Sequence, residues 1–248
     1  MWKIRIYWIV SVLIVSSISL VGVVTLWIKT ATLKKILIYM VSFAAGALLG
    51  DAFLHLLPES IEAWFTITTA LRILWGIVFW LITEKVLHWN HCHMPITKHH
   101  VHTFAIMNLV GDFVHNIIDG LIIGASYLVN IPTWIATTIA VILHEIPQEI
   151  GDFWVLIHWG FSKRKAIFMN LMTALSAIIG LIIALVLAWR ISNIEWFLLP
   201  FAAGSFIYIA GSDLIPELHK ENKTWQAIMQ ILTFIAGIAV MSLLLLLE

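Results

Sequence analysis

Two stretches near the middle of the chain decide how it is read. They are Asn108-Leu-Val-Gly-Asp112-Phe-Val-His115-Asn116-Ile-Ile-Asp119-Gly120 and His144-Glu145-Ile-Pro147-Gln148-Glu149-Ile-Gly151-Asp152. Each lies inside a run of Leu, Ile, Val, Ala and Phe long enough to cross a bilayer. Ionisable groups at membrane depth are costly, so they face a protein interior or a wet pathway. In the first stretch Asn108, Asp112, His115, Asn116 and Asp119 fall at i, i+4, i+7, i+8 and i+11, a single stripe on a 3.6-residue period. In the second, His144, Glu145, Gln148, Glu149 and Asp152 again share one helix face. The connection between the two runs, about Ser126 to Pro132, is short enough to make them antiparallel neighbours.

Two polar stripes on facing helices can enclose a cation. Imidazole with carboxylate is a ligand set for zinc, and also for iron or manganese. His115, Asp119 and Glu145 are expected as direct ligands, with His144, Asn116 and Glu149 next. Gln148 offers only a neutral carbonyl oxygen. Pro147 cannot donate to the carbonyl of Leu143 and tends to kink its helix. Gly111, Gly120 and Gly151 flank the stripes and allow close helix approach.

Composition sets the class. Of 248 residues 61% are hydrophobic and 11% charged, and the mean hydropathy is +0.99, which places the chain in a lipid bilayer. The net charge is zero, so no strong field invites nucleic acid. The single cysteine, Cys92, excludes an intramolecular disulfide and any Cys-rich zinc module. One membrane domain over residues 1–248 is expected, with no large soluble domain.

A spanning helix needs about 20 mostly apolar residues. Eight runs qualify, roughly 6–28, 36–57, 64–86, 103–128, 132–158, 165–189, 195–217 and 224–247. The fold class is therefore an all-α integral membrane protein with eight transmembrane helices. The first run follows Lys3 and Arg5 like a signal peptide, but it is longer than an ordinary h-region and is read as a retained helix. Numbering the loops by parity puts ten of the 14 basic residues on one side and four on the other. Basic loops stay in the cytoplasm, so both termini face outward. The tryptophans read as interfacial anchors.

Other polar groups follow from this frame. Asp51, His55 and Glu59 share a face at the end of the second run; Asp51 and His55 are expected to line the metal pathway. Gly50-Asp51…Pro58-Glu59 resembles Gly211-Ser-Asp213…Pro216-Glu217 in the seventh run, a candidate internal repeat. Asp213 and Glu217 lean towards structural or gating roles. Between runs three and four, about 87–102, six histidines and Cys92 form a His-rich cytoplasmic loop suited to weak, mobile metal binding.

At these residues the chain resembles the Zrt/Irt-like (ZIP) family of metal transporters. His115-Asn116-Ile-Ile-Asp119-Gly120 matches the family's His-Asn-x-x-Asp-Gly. His144 to Asp152 is similar to the His-Glu-x-Pro-His-Glu-x-Gly-Asp of one subfamily, and Asp51-Ala-Phe-Leu-His55-Leu-Leu-Pro58 to its Asp-Ala-Leu-Leu-His-Leu-Leu-Pro. Phe161-Ser-Lys-Arg-Lys-Ala, Asn170 and Ala203-Gly204 through Pro216-Glu217 extend the likeness over runs two to eight. The resemblance implies eight helices, outward termini, a His-rich cytoplasmic loop and divalent-metal influx. It also implies a site that is sometimes binuclear, bridged by the second histidine position of the fifth helix. Here that position is Gln148, and the sixth helix offers only Asn170, Thr173 and Ser176. One firm metal position is therefore expected, with a weak or absent second.

The expected activity is transport of Zn2+ as substrate, with Fe2+, Mn2+ or Cd2+ as further allowed ions and no organic cofactor. The partners are the divalent ion and the lipid bilayer, with a homodimer allowed. A proton or monovalent-cation carrier is the alternative. An intramembrane metalloenzyme is disfavoured because the zincin pattern needs a histidine at position 148. Short loops favour a prokaryotic plasma membrane, an internal eukaryotic membrane being the other option.

Overall fold

Inside a bilayer a backbone amide finds no water, so a spanning segment satisfies itself as a helix. The described residues of the computed structural model, 2–61, 66–89, 98–158, 161–219 and 223–247, are helices joined by short turns, with no strand among them. They form eight rods. α1 runs Trp2–Ser17 and continues through tighter turns to Trp27; α2 runs Thr30–Asp51 and continues through a π-turn, Ala52–Leu56, to Ser60. α3 is Ile67–Trp89, α4 Lys98–Val129 and α5 Ile131–His158. α6 joins Lys163–Ala174 to Ala177–Arg190. α7 runs Glu195–Tyr208, then a π-turn, Ile209–Leu214, and Ile215–Leu218; α8 runs Thr224–Leu244 and ends in Leu245–Leu247.

Seven of these rods are long and apolar enough to cross a membrane. α5 is not among the seven, although it is 28 residues long. Its polar face, His144 to Asp152, dilutes the apolar character that the others keep. The His-rich loop expected at about 87–102 falls largely outside the described residues.

Local signals explain the joints. The connection between α4 and α5 shrinks to the single residue Asn130. Its Oδ1 accepts from the Thr133 amide at 2.8 Å and caps α5, while its Nδ2 donates to Glu59 Oε1 of α2 at 2.7 Å. Ser162 caps α6 by accepting from the Lys165 amide. In the turn between α6 and α7 Asn193 sits at φ 58°, a left-handed position that asparagine tolerates better than most residues. The two π-turns lie just ahead of Pro58 and Pro216. A proline ring clashes with the carbonyl four residues back, and those carbonyls, of Leu54 and Ser212, fall within the widened turns. The likeness of the two Gly…Asp…Pro-Glu stretches thus extends to their backbone.

Three helix pairs touch at backbone distance through reciprocal glycines. A Cβ on Gly46 of α2 would stand 2.0 Å from the Phe234 carbonyl oxygen of α8, and one on Gly237 would stand 2.2 Å from that of Phe43. Gly76 of α3 and Gly204 of α7 meet Phe201 and Ile73 in the same way, at 2.2 and 2.0 Å. Gly120 of α4 and Gly180 of α6 meet Ala177 and Ile117, both at 1.8 Å. Small residues let apolar helices approach closely where no hydrophobic force operates between them. α5 packs on both α2 and α4 without such a lock, and α1 lies against α4, α5 and α6. The expectation of a close approach at Gly151 does not hold, since nothing lies within 4 Å of a Cβ there. α4 and α5 are thereby held side by side, one clamped to α6 and the other seated between the pairs.

Candidate metal centre

The α4 and α5 stripes face each other as their spacing predicts. His115 and Asp119 of α4 and His144 and Glu145 of α5 converge, with one ligand atom from each within 4.8 Å of the others. His115 is 6% exposed and the other three at most 1%. The His115 Nε2 lies 3.1 Å from His144 Nε2, 3.4 Å from Glu145 Oε1 and 3.6 Å from Asp119 Oδ2. The His144 Nε2 lies 3.1 Å from Asp119 Oδ2 and 3.6 Å from Glu145 Oε1. Zinc held at about 2.0–2.1 Å by tetrahedral ligands spaces them roughly 3.3–3.4 Å apart. The donor set and its spacing therefore fit a four-coordinate divalent ion.

Orientation comes from the surroundings. The His144 Nδ1 sits 3.1 Å from the Ala140 carbonyl oxygen, one helical turn back. A carbonyl only accepts, so Nδ1 carries the hydrogen and Nε2 turns its lone pair to the cluster. Both carboxylate oxygens of Asp119 and of Glu145 lack a hydrogen-bond donor. A buried carboxylate without donors is expensive, and a divalent ion among four such ligands removes that cost. The ring of Trp80 from α3 lies 5.0 Å from that of His115, and Phe206 from α7 lies 6.0 Å from His144. The locked α3/α7 pair thus supplies a dry aromatic wall behind both imidazoles.

The remaining expected site residues are placed elsewhere. Asn116, fully buried and next to His115 in the chain, turns its side chain to Asp112, its Nδ2 donating to Asp112 Oδ1 at 2.9 Å. The Gln148 Nε2 reaches towards Asp112 Oδ1 at 3.5 Å, so its amide N–H faces that carboxylate. Glu149 turns to α6, where Asn170 Nδ2 donates to its Oε2 at 2.8 Å. Asp51 and His55 are buried on α2 but outside the four-residue cluster. The Thr137 hydroxyl is 3.4 Å from Asp51 Oδ1, and His55 Nε2 is 3.0 Å from the Met241 carbonyl oxygen. Asp152 accepts from Asn108 at 3.0 Å, and Asp213 and Glu217 are exposed. Trp80 and Phe206 were not foreseen: a single aromatic in an apolar helix carries no sequence mark of what it touches.

Comparison with known proteins gives a consistent result. A family model described as ZIP Zinc transporter matches residues 2–103 and 90–245. "Zinc transporter zipt-7.1" of Caenorhabditis briggsae is 31% identical over 84% of this chain and 71% of its own length. "Zinc transporter ZIP13" of Danio rerio is 31% identical over 86% and 76%. "Zinc transporter zipt-7.2" of Caenorhabditis elegans is 30% identical over 87% of this chain, which spans 59% of that protein's length.

Proposed function

This chain belongs to the ZIP zinc transporter family, and from that premise we propose that it carries Zn2+ across a membrane towards the cytoplasm. The observation that carries the reading is the buried set His115, Asp119, His144 and Glu145, with ligand atoms at zinc-like spacing. The two carboxylates balance the ion's charge and the two imidazoles select a borderline metal over a hard monovalent ion. Together they replace the water that a hydrated ion must shed to enter an apolar bundle. Elevator or rocking motion between helix groups would open the centre to each face in turn. Fe2+, Mn2+ or Cd2+ would use the same ligands.

Eight spans with both termini outside complete the proposal, α5 serving as the eighth because neighbouring helices cover its polar face. The basic-loop count supports this orientation. The short loops of the sequence favour a prokaryotic plasma membrane, an internal eukaryotic membrane being the other option. The relatives are eukaryotic, so fractionation of the native cell decides between plasma and internal membranes.

The test is zinc uptake into proteoliposomes. Wild-type protein should load vesicles with zinc, and His115→Ala with Asp119→Ala should abolish loading. Unchanged uptake in that double variant refutes the site. Currents that ignore zinc and follow pH alone would favour a proton carrier instead.

A further inference from the structure

Away from the metal centre, a cavity of about 450 Å³ opens between α2, the end of α7 and the start of α8. Ligand pockets of about 300–1,000 Å³ are the usual size. Ile215, Leu218, Ile231 and Phe234 give this one apolar walls. Ile231 is 59% exposed, so the cavity is open on a side that faces away from the bundle, where lipid lies.

The wall also holds a polar group out of keeping with the rest. Gln230 is 5% exposed, and among the described residues nothing accepts a hydrogen bond from its Nε2. Ser42, the other buried polar residue of the wall, gives its hydroxyl hydrogen to the Gln230 backbone carbonyl at 2.6 Å. A buried donor without an acceptor is costly. The last torsion of a glutamine is broad and two-fold, so its N–H pair turns readily to an acceptor in the cavity. Water there would find few partners besides this amide, because the walls are apolar. The complementary occupant is apolar along its length and carries an oxygen acceptor.

Depth identifies that acceptor. Trp225, 70% exposed in the first turn of α8, stands where an interfacial tryptophan anchors a helix. Gln230 follows it by five residues, about 7.5 Å along the axis at 1.5 Å per residue. The polar layer of a bilayer is roughly 5–7 Å thick on each side, and the ester carbonyls of a phospholipid lie at its inner boundary. The connection beyond α7 reads His219-Lys220-Glu221-Asn222-Lys223, two lysines against one glutamate, which suits a phosphate at the surface.

We propose that this cavity is a phospholipid site, in which an acyl chain lies along Ile215, Leu218, Ile231 and Phe234 and its ester carbonyl accepts from Gln230 Nε2. The bound lipid ties the tail of α7 to the α2/α8 pair beside its glycine lock, where the Phe234 carbonyl meets Gly46. The site stands apart from the ion carried and from its direction of travel.

The test is native mass spectrometry of the full purified chain, delipidated in detergent and titrated with dioleoyl phosphatidylglycerol or with its diether analogue, which lacks both carbonyls. Wild-type protein should bind the diester about fivefold more tightly than the diether, the worth of one net hydrogen bond. Gln230→Leu should bind the two alike. Ala227→Trp, from a half-buried position in the wall, fills the cavity. It should lose that bound lipid, together with the rise in melting temperature that the diester gives wild type. Equal affinity of wild type for diester and diether overturns the proposal, as does a preference that survives Gln230→Leu. If Gln230→Leu does not fold, Ala227→Trp decides in its place: loss of the preference supports the site and its persistence overturns it. Should Ala227→Trp split a dimer and leave lipid binding intact, a second copy covers this face and the lipid site falls.

Discussion

His144 illustrates how one side chain is set for its task by its own helix. The Ala140 carbonyl holds Nδ1, leaving Nε2 as the face offered to Asp119 and His115. A proton on Nε2 would compete directly with a metal, since an imidazole ligates only when neutral. Proton and metal compete for the same nitrogen, so zinc uptake should fall as external pH is lowered. Initial rates in vesicles buffered at stepped external pH would show it, and a maximum on the acid side would contradict it. His144→Gln keeps bulk but offers a poorer ligand, and zinc affinity measured by competition with a chelating dye should drop at least about tenfold. His115, Asp119 and Glu145 were legible because each stood in a motif with a helical period. His144 ranked lower in the sequence reading, yet it converges with them. Adjacent positions on a helix differ by about 100° in direction, and only the packing of α5 against α4 fixes which of His144 and Glu145 points inward. Here both reach the cluster.

Among the elements, the three reciprocal glycine contacts separate positions that tolerate a methyl group from positions that do not. Gly120→Ala or Gly180→Ala would place a Cβ 1.8 Å from a facing carbonyl oxygen, so α4 and α6 must part. Overpacking of this kind costs about 1–3 kcal/mol, and the shift should displace His115 and Asp119 as well. Gly151→Ala on α5 has nothing within 4 Å and should leave melting unchanged or slightly raised. Thermal melts of the three variants in one detergent, beside their zinc uptake, check the contrast. A Gly120→Ala protein as stable as Gly151→Ala would show that the pair does not lock. Helix extents were legible from apolar runs: the fifth run, roughly 132–158, matches the helix Ile131–His158 to within a residue, though that helix is not among the seven apolar enough to cross a membrane. The π-turns were not legible, because Pro58 and Pro216 announce a disturbed helix without saying how the backbone absorbs the ring. Nor could the sequence show that Glu149 turns away from the cluster to Asn170, a choice made by α6.

For the whole molecule, the bias of basic loops predicts where the lone cysteine stands. Cys92 should react with a membrane-impermeant maleimide only from the cytoplasmic side, in inverted vesicles and not in sealed right-side-out cells. Labelling from outside would reverse the topology and with it the direction of transport. The glycine contacts also bear on biosynthesis. All four residues of the candidate metal centre come from α4 and α5, within residues 115–145, and the Gly120–Gly180 contact closes once α6 has been made. The Gly46–Gly237 contact cannot close until the ribosome has finished α8, so α2 waits in the lipid with its groove uncovered. A chain halted before residue 224 would therefore leave the ribosome with its candidate metal centre gathered and one flank unsealed, a species that quality-control proteases would recognise by its bare small-residue stripe.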